Sequence, residues 1–320
     1  MSKILNITNG DSTVALMEKA GISGGYLPWR DVLHEGSVPA NLSLEELSEI
    51  RAKYISDNGW GEIADIQTSF SERDDVIKSY KNFDKLILWF EHDLYDQLQI
   101  LQILDFFYEK DLGLTELSLI CTDQYLGMLQ PDEFPLLFKY ETQVTDIHLK
   151  LAHQAWSAFR ESTPESWSKL LDIDTSALEF LKSGVIRMIQ EFPSQKNGLS
   201  RTEQQALTII SKGEKHPGKV FGKNQQLEES MFMGDSSFWH ILYSFLNSSP
   251  PLLAIAKGKE LTLPTKPDQE LSITQAGNDV LSGQLDWTDI NILDKWIGGT
   301  HLTQNNIWYW DSTDGIGIHK

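Results

Sequence analysis

The chain has 320 residues, with 27 Lys plus Arg against 46 Asp plus Glu, a formal charge of −19 and 40% hydrophobic residues. That length accommodates two or three domains, each with its own core, and the apolar fraction is too high for an acidic disordered chain. So acidic a chain repels phosphate overall, which excludes a broad electrostatic grip on nucleic acid and leaves only local contact.

The elements alternate at first between short apolar runs and amphipathic stretches, the pattern of βα units around a mainly parallel sheet. Ile4 to Ile7 is a strand and Ser12 to Ala20 its helix, closed by Gly21; Gly25 to Trp29 is a second strand. Leu42 to Ser56 is a helix with a capping box from Ser43 to Glu46 and an apolar face of Leu44, Leu47, Ile50 and Tyr54. Lys85 to Phe90 is apolar almost throughout, as a buried central strand should be, and Leu94 to Tyr108 is a helix nearly apolar all round. Leu117 to Cys121 is a fourth strand.

From about Pro135 to Pro193 the signals are helical, which predicts a connector packed on the sheet. Helices then follow at Leu199 to Ile210, capped by Ser200, and at Asp235 to Leu246. Strands at Leu252 to Ile255 and Leu271 to Thr274 and a last helix, Gln275 to Leu281, complete the order of a winged helix-turn-helix. Trp296 to Asp311 reads as a hairpin turning at Thr303 to Asn305. The expected division is an α/β domain over 1–134, a helical connector over 135–197 and a winged-helix-like α+β domain over 198–320.

Charge is unevenly spread. Residues 1–198 carry 17 basic and 32 acidic side chains, whereas residues 199–283 carry 8 and 9. The only cysteine, Cys121, can form no intramolecular disulfide, the start MSKILNITNG lacks a signal-peptide core, and no window approaches ~18 uninterrupted apolar residues. A cytoplasmic location without membrane contact is expected.

Ligands of open parallel sheets bind beyond the carboxyl ends of the strands. Here those ends carry Asn9, Gly10, Asp11 and Ser12; Arg30, Asp31, His34 and Glu35; Glu91, His92, Asp93, Asp96 and Gln97; and Thr122, Asp123 and Gln124. Loops built only for solubility favour Lys, Ser and Asn, so two His, one Arg and several carboxylates mark a candidate site. Asn9 to Ser12 offer backbone and hydroxyl donors, although the turn is neither GxGxxG nor a P-loop, and Asp11 opposes a phosphate unless Arg30 or a metal offsets it. Arg30 could hold an anion bidentately, while His34, Glu35, Glu91, His92 and Asp93 could act as acid-base groups or ligate a cation. Asp93 and Asp96 also suit the cap and first turn of the following helix, and of the neighbours Glu91 and His92 at most one faces a crevice. No HxxxH, HxH or CxxC spacing singles out a metal, and the sequence specifies no cofactor.

On the second helix of the winged-helix candidate, Phe238, Trp239, Ile241, Leu242, Tyr243 and Phe245 read as core rather than as a base-reading face. Lys212, Lys215, Lys219 and Lys223 form the only basic stretch and read as a solvated loop.

The segments LNITNGDS at 5–12, WRDVLHEGSVP at 29–39 and LWFEHDLYDQLQILQIL at 88–104 resemble the hallmark segments of a bacterial family built on domain of unknown function 1835. The likeness continues through GLSRTEQQAL, GDSSFWHIL, ITQAGNDVLSG, WIGGTHL and WYWD, and so spans nearly the whole chain. Members often carry Arg where this chain has Tyr309, so no anion contact is implied there. The resemblance implies no reaction; it marks the same three turns that the physical reading selects.

The expected function is to bind or turn over a small phosphorylated or nucleotide-like ligand at the strand ends, with enzymatic activity left open. The alternative is a regulatory or interaction protein whose winged-helix-like part binds a protein or, less favoured by its charge, DNA.

Overall fold

The computed structural model describes residues 2–311 and 317–320. The chain divides into two units, one of residues 1–185 with 296–300, the other of residues 186–295 with 301–320.

The first unit is a mainly parallel α/β fold. In chain order it contains β1 (Ile4–Thr8), α1 (Asp11–Lys19), β2 (Gly25–Pro28), β3 (Gly36–Ser37), α2 (Leu44–Asp57), α3 (Ile63–Lys78), β4 (Lys85–Glu91), α4 (Leu94–Phe107) and β5 (Glu116–Thr122). These are followed by β6 (Thr142–Gln143), α5 (Asp146–Phe159), α6 (Glu165–Lys169) and the start of α7 (Leu181–Ile189). The five-stranded sheet has the order β2-β1-β4-β5-β6, parallel except for the antiparallel edge strand β6. Leu86 to Phe90 of β4 are at most 2% exposed, because this strand has neighbours on both edges and is covered on both faces. One face buries Met17, Ile22, Ile87, Trp89, Ile120, Leu126 and Phe134 together.

Three features of the first unit depart from the expected pattern. Helix α3 was not legible, because its buried face mixes Phe70 and Ile77 with the buried charges Arg73 and Asp74, which breaks the apolar period. The expected start of the helical connector, about Pro135, lies inside a 3-10 helix over Pro131–Tyr140, in which the ring of Pro135 supplies no N–H. Helix α1 begins at Asp11 after an extended Gly10, with no side-chain cap, so Ser12 lies inside the helix.

Two arginines at most 2% exposed hold the loop after β2 in place. Arg51 of α2 donates to Asp31 Oδ1 (2.9 Å) and to the carbonyls of Val32 (2.7 Å) and Glu35 (2.7 Å). Arg73 of α3 donates to the carbonyl of Trp29 (3.0 Å) and to Asp74 (2.9 Å), with its guanidinium 4.4 Å from the Trp29 ring centroid. Gly36 in the same loop has φ +73°, and a Cβ there would lie 2.5 Å from the Tyr54 ring, so only glycine fits.

The second unit contains α8 (Arg201–Ser211), α9 (Pro217–Gln225), α10 (Asp235–Asn247), the antiparallel pair β7 (Leu253–Ile255) and β8 (Leu271–Ile273), α11 (Gln275–Ser282) and α12 (Trp287–Ile290). The stretch from Lys212 to Lys223, expected as a loop, contains α9; Pro217 sits at its first turn, where a missing N–H costs nothing. Strands β9 (Asp294–Gly298), β10 (Thr300–Thr303), β11 (Tyr309–Asp311) and β12 (Gly317–His319) close the chain. The expected turn exists, with a bridge between Thr303 and Asn306, but the arm Tyr309–Asp311 pairs antiparallel with β12 and not with the preceding arm. Ile297 and Gly298 pair instead with Gly36 and Ser37 in parallel, as part of the first unit. Among the described residues no helix is long and apolar enough to cross a membrane.

Removing Arg51 leaves Asp31, which is 0% exposed, charged and without its partner. Arg51→Ala is expected to lower the unfolding free energy by about 3–5 kcal/mol in urea titrations. A loss under about 1 kcal/mol would mean that Asp31 reaches water and does not depend on the arginine.

Candidate functional site at the sheet switch point

From β1 the chain runs to β2 on one side and later enters β4 on the other, so the topological switch point lies between the carboxyl ends of β1 and β4. Asn9 follows β1 and Glu91 ends β4. Asn9 Nδ2 donates to Glu91 Oε1 (3.2 Å) and to Asp96 Oδ1 (3.0 Å), while Asn9 Oδ1 accepts from Thr13 Oγ1 (3.0 Å).

Around this bridge the turn from β4 into α4 is held by its own carboxylates. Asp93 is the N-cap of α4 and accepts from the Asp96 N–H (3.1 Å); Asp96 Oδ2 accepts from the Glu91 N–H (2.6 Å); Glu91 Oε1 accepts from the Leu126 N–H (2.8 Å). Glu91, Asp93 and Asp96 are 5%, 4% and 0% exposed, and among the described residues none of them makes an ion pair. Burial pushes all three upward from the ordinary carboxylate range. The Glu91 charge adds to the burial of Asp93, whose carboxyl is pushed up to about 7. Asp93 and Glu91 in turn add to the burial that raises Asp96, while the Leu126 N–H and Asn9 partly restrain Glu91. Charge on either of Glu91 and Asp93 disfavours charge on the other, so the two carboxyls titrate as a pair.

Gln97, one turn into α4, donates to the Glu91 carbonyl (2.8 Å) and to Cys121 Sγ (3.5 Å). Burial pushes the Cys121 thiol up to about 12, so it stays protonated and is a poor nucleophile at neutral pH. His92 turns away from Glu91, its ring centroid 5.0 Å from that of Tyr125 and 5.8 Å from that of Phe180; burial depresses its basicity and the Asp123 charge partly restores it.

The other expected site residues form separate groups. Arg30 donates to both oxygens of Asp11 (2.7 and 2.6 Å) and to Ser69 Oγ (2.9 Å), so its fork is filled by a carboxylate of the protein's own. Its φ of 61° is in the left-handed region, a strain of about 1 kcal/mol that the three hydrogen bonds offset. Asp31 belongs to Arg51, and its carbonyl accepts from Gln99 Nε2 (2.8 Å). His34 Nε2 lies 3.1 Å from Glu35 Oε1, with the imidazole edge-on to Tyr95 and Tyr54 donating to Glu35 Oε2 (3.2 Å). Burial raises both Tyr54 and Tyr95, so the phenols stay protonated.

Of the expected residues, the structure thus brings together Asn9, Glu91, Asp93, Asp96 and Gln97. It pairs Arg30 with Asp11 and His34 with Glu35, and it gives Asp31 to Arg51. Arg51, Arg73, Tyr95 and the Leu126 N–H went unseen, because an Arg or Tyr inside an amphipathic helix need not point inward, and Tyr54, expected only on the apolar face of α2, also donates to Glu35. Among the described residues no three His, Cys, Asp or Glu side chains are disposed to hold a metal ion. No protein-family model matches the chain, and no curated protein matches it.

Carboxyls held protonated by the fold bind protons that the unfolded chain has already released. Their stabilising contribution is full below roughly pH 4 and is lost as the pH rises through about 7, where Asp93 titrates. Asp93→Asn keeps a cap acceptor and removes this titration. Its unfolding midpoint should fall less than the wild type's between about pH 5 and 8, a difference of a few kcal/mol at most in stability. Parallel pH profiles for the two proteins would exclude a folded-state proton at Asp93.

Proposed function

We propose that the first unit binds a small ligand at the switch point and moves a proton on it through the Glu91 and Asp93 carboxyls. The observation that carries this reading is the desolvated carboxyl pair itself, with Asp93 titrating near neutrality at the place where open α/β sheets receive ligands. Asn9 serves as the neutral donor that orients Glu91 and Asp96. The strained Arg30 backbone supports the same reading, since such conformations concentrate at ligand sites.

A phosphorylated or nucleotide-like ligand is the first class to test. Its neutral hydrogen-bonding part suits Asn9 and the protonated carboxyl, and its anionic part suits Arg30 once Asp11 releases one of the two hydrogen bonds. A phosphate must therefore compete with an intramolecular carboxylate, so binding should weaken when the ligand loses its uncharged portion.

A second reading concerns the other unit, in which three helices, α8, α9 and α10, precede the antiparallel pair β7 and β8, in the order of a winged helix. Trp239 Nε1 donates to the Thr262 carbonyl (3.0 Å) and Tyr243 Oη to the Leu261 carbonyl (2.6 Å), so aromatic groups of α10 tie down the loop between these strands. That use favours a protein partner over base reading by α10, and a gel shift at low salt with the full chain tests it: a shift restores the DNA version.

For the ligand reading the measurement is thermal unfolding against nucleotides, sugar phosphates and divalent metals, with wild type, Arg30→Ala and Asp93→Asn. A ligand at 100 times its dissociation constant adds about 2.7 kcal/mol of stability. A shift in wild type that Asp93→Asn loses is the expected result. No shift with any compound, or shifts indifferent to both variants, would remove the switch point as a ligand site.

A further inference from the structure

A second feature of the first unit lies on the far side of Gln97 and is not part of the switch-point reading. A cavity of about 420 Å³ opens at the edge of the sheet where β5 meets β6, bounded by α4, α5 and the segment from Ser176 to Glu179. That volume is within the roughly 300–1,000 Å³ typical of small-molecule sites.

Its lining combines apolar and polar groups. Ile100, Leu119 and Leu178 are buried and form an apolar floor. Lys139, His148 and Glu179 line the same cavity, together with the ionisable groups of Cys121 and Tyr140. Lys139 makes no ion pair among the described residues, and its ammonium lies 4.6 Å from the centroid of the Tyr140 ring. His148 Nδ1 accepts from the Thr145 N–H (3.2 Å) at the start of α5, which fixes the ring proton on Nε2 and leaves that nitrogen as a donor. Burial also depresses the basicity of this imidazole, so it stays neutral.

An ammonium and an N–H donor beside an apolar floor are the complement of an anionic head on an apolar body. With Lys139 as the one cation of this lining and the carboxylate of Glu179 beside it, the head is limited to one negative charge, since a dianion would be repelled without compensation. We propose that this cavity binds a small amphipathic carboxylate, with its apolar body on Ile100, Leu119 and Leu178 and its carboxylate between Lys139 and His148 Nε2. Cys121 takes no covalent part, because its thiol already lies within hydrogen-bond reach of Gln97 and the Glu91 carbonyl.

Calorimetric titration of the full chain with octanoate, and with octylamine as the same body carrying the opposite charge, tests the proposal. Wild type should bind octanoate saturably and octylamine at least about tenfold more weakly, and Lys139→Ala should weaken octanoate by about tenfold or more. Lys139 is exposed, so the variant should keep the wild-type unfolding midpoint, and Lys139→Gln serves equally if it does not. Asp93→Asn, which keeps a cap acceptor for α4 and touches no residue of this lining, should bind octanoate as wild type does, so that the two sites fail or succeed separately. Absence of octanoate binding, equal binding of octylamine, or an unchanged affinity in a folded Lys139 variant would each overturn the proposal.

Discussion

A helix buried on every side has nowhere to put a polar side chain except against another element, and α4 is such a helix. Its apolar residues Leu98, Ile100, Leu101, Ile103, Leu104 and Phe107 are all at most 1% exposed, yet Asp96, Gln97, Gln99 and Gln102 are buried among them. An unpaired amide or carboxyl there would cost about 1–3 kcal/mol, and each of the four side chains has at least one partner outside its own helix, although Gln99 Oε1 and Gln102 Nε2 have no hydrogen-bond partner among the described residues. Asp96 holds the Glu91 N–H and Asn9; Gln97 holds the Glu91 carbonyl; Gln99 holds the Asp31 carbonyl; Gln102 Oε1 accepts from Trp29 Nε1 at 2.7 Å. Farther along, Asp105 Oδ1 lies 2.6 Å from His153 Nδ1 of α5. The helix thus ties the ends of β1, β2 and β4 and the covering helix α5 to one rigid axis.

Two kinds of charge occur along that axis, and they are neutralised differently. Around the loop after β2, carboxylate meets guanidinium: Asp31 with Arg51, Asp74 with Arg73, Asp11 with Arg30. At the turn from β4 into α4 the three carboxyls pair with no cation among the described residues and instead accept from backbone N–H groups and one asparagine amide. A buried ion pair can equal its desolvation cost only with good geometry and further hydrogen bonds, which the Arg51 fork supplies through two carbonyls and a carboxylate. Carboxyls without a cation have only protonation as an escape, and a proton held near neutral pH can be given away. The first arrangement builds a scaffold, and the second is the one to which the proposed function assigns a transferable proton.

Much of this was legible beforehand where a residue type has one common use. The apolar run of β4, the capping boxes at Ser43 and Ser200, and Asp93 as a cap follow from local rules that tertiary contacts did not override. The polar groups after each strand were legible as a set, because βα topology gathers strand ends. Their division into clusters was not, since it depends on Arg51 and Arg73, which reach the loop from helices 20 or more residues downstream. Nothing in the sequence around Arg51 distinguishes it from Lys53, two residues away, whose ammonium instead faces water beside Asp57. The 3-10 helix over Pro131–Tyr140 escaped notice for a similar reason: Phe134 and Leu137 pack at a spacing of three, which a helical reading absorbs without signalling the tighter turn.

Arg30 shows why residue type alone misleads at such a site. An arginine after a strand of a parallel sheet invites an anion, and the structure does supply one, but it is Asp11, from the first turn of α1. With side chains 38% and 67% exposed, the two are screened by water, and the pair itself contributes little to stability. Its consequence is geometric. The fork holds Arg30 in a left-handed backbone conformation and bridges α1, the loop after β2 and, through Ser69, α3. A competing anion would therefore gain the guanidinium only by freeing Asp11 beside the α1 N-terminus, where its negative charge keeps a favourable dipole. Exchange of one carboxylate for another anion at that position is close to balanced in charge, so under the proposed ligand reading selectivity has to come from the neutral donor Asn9 and the carboxyls of Glu91 and Asp93 at the same end of the sheet.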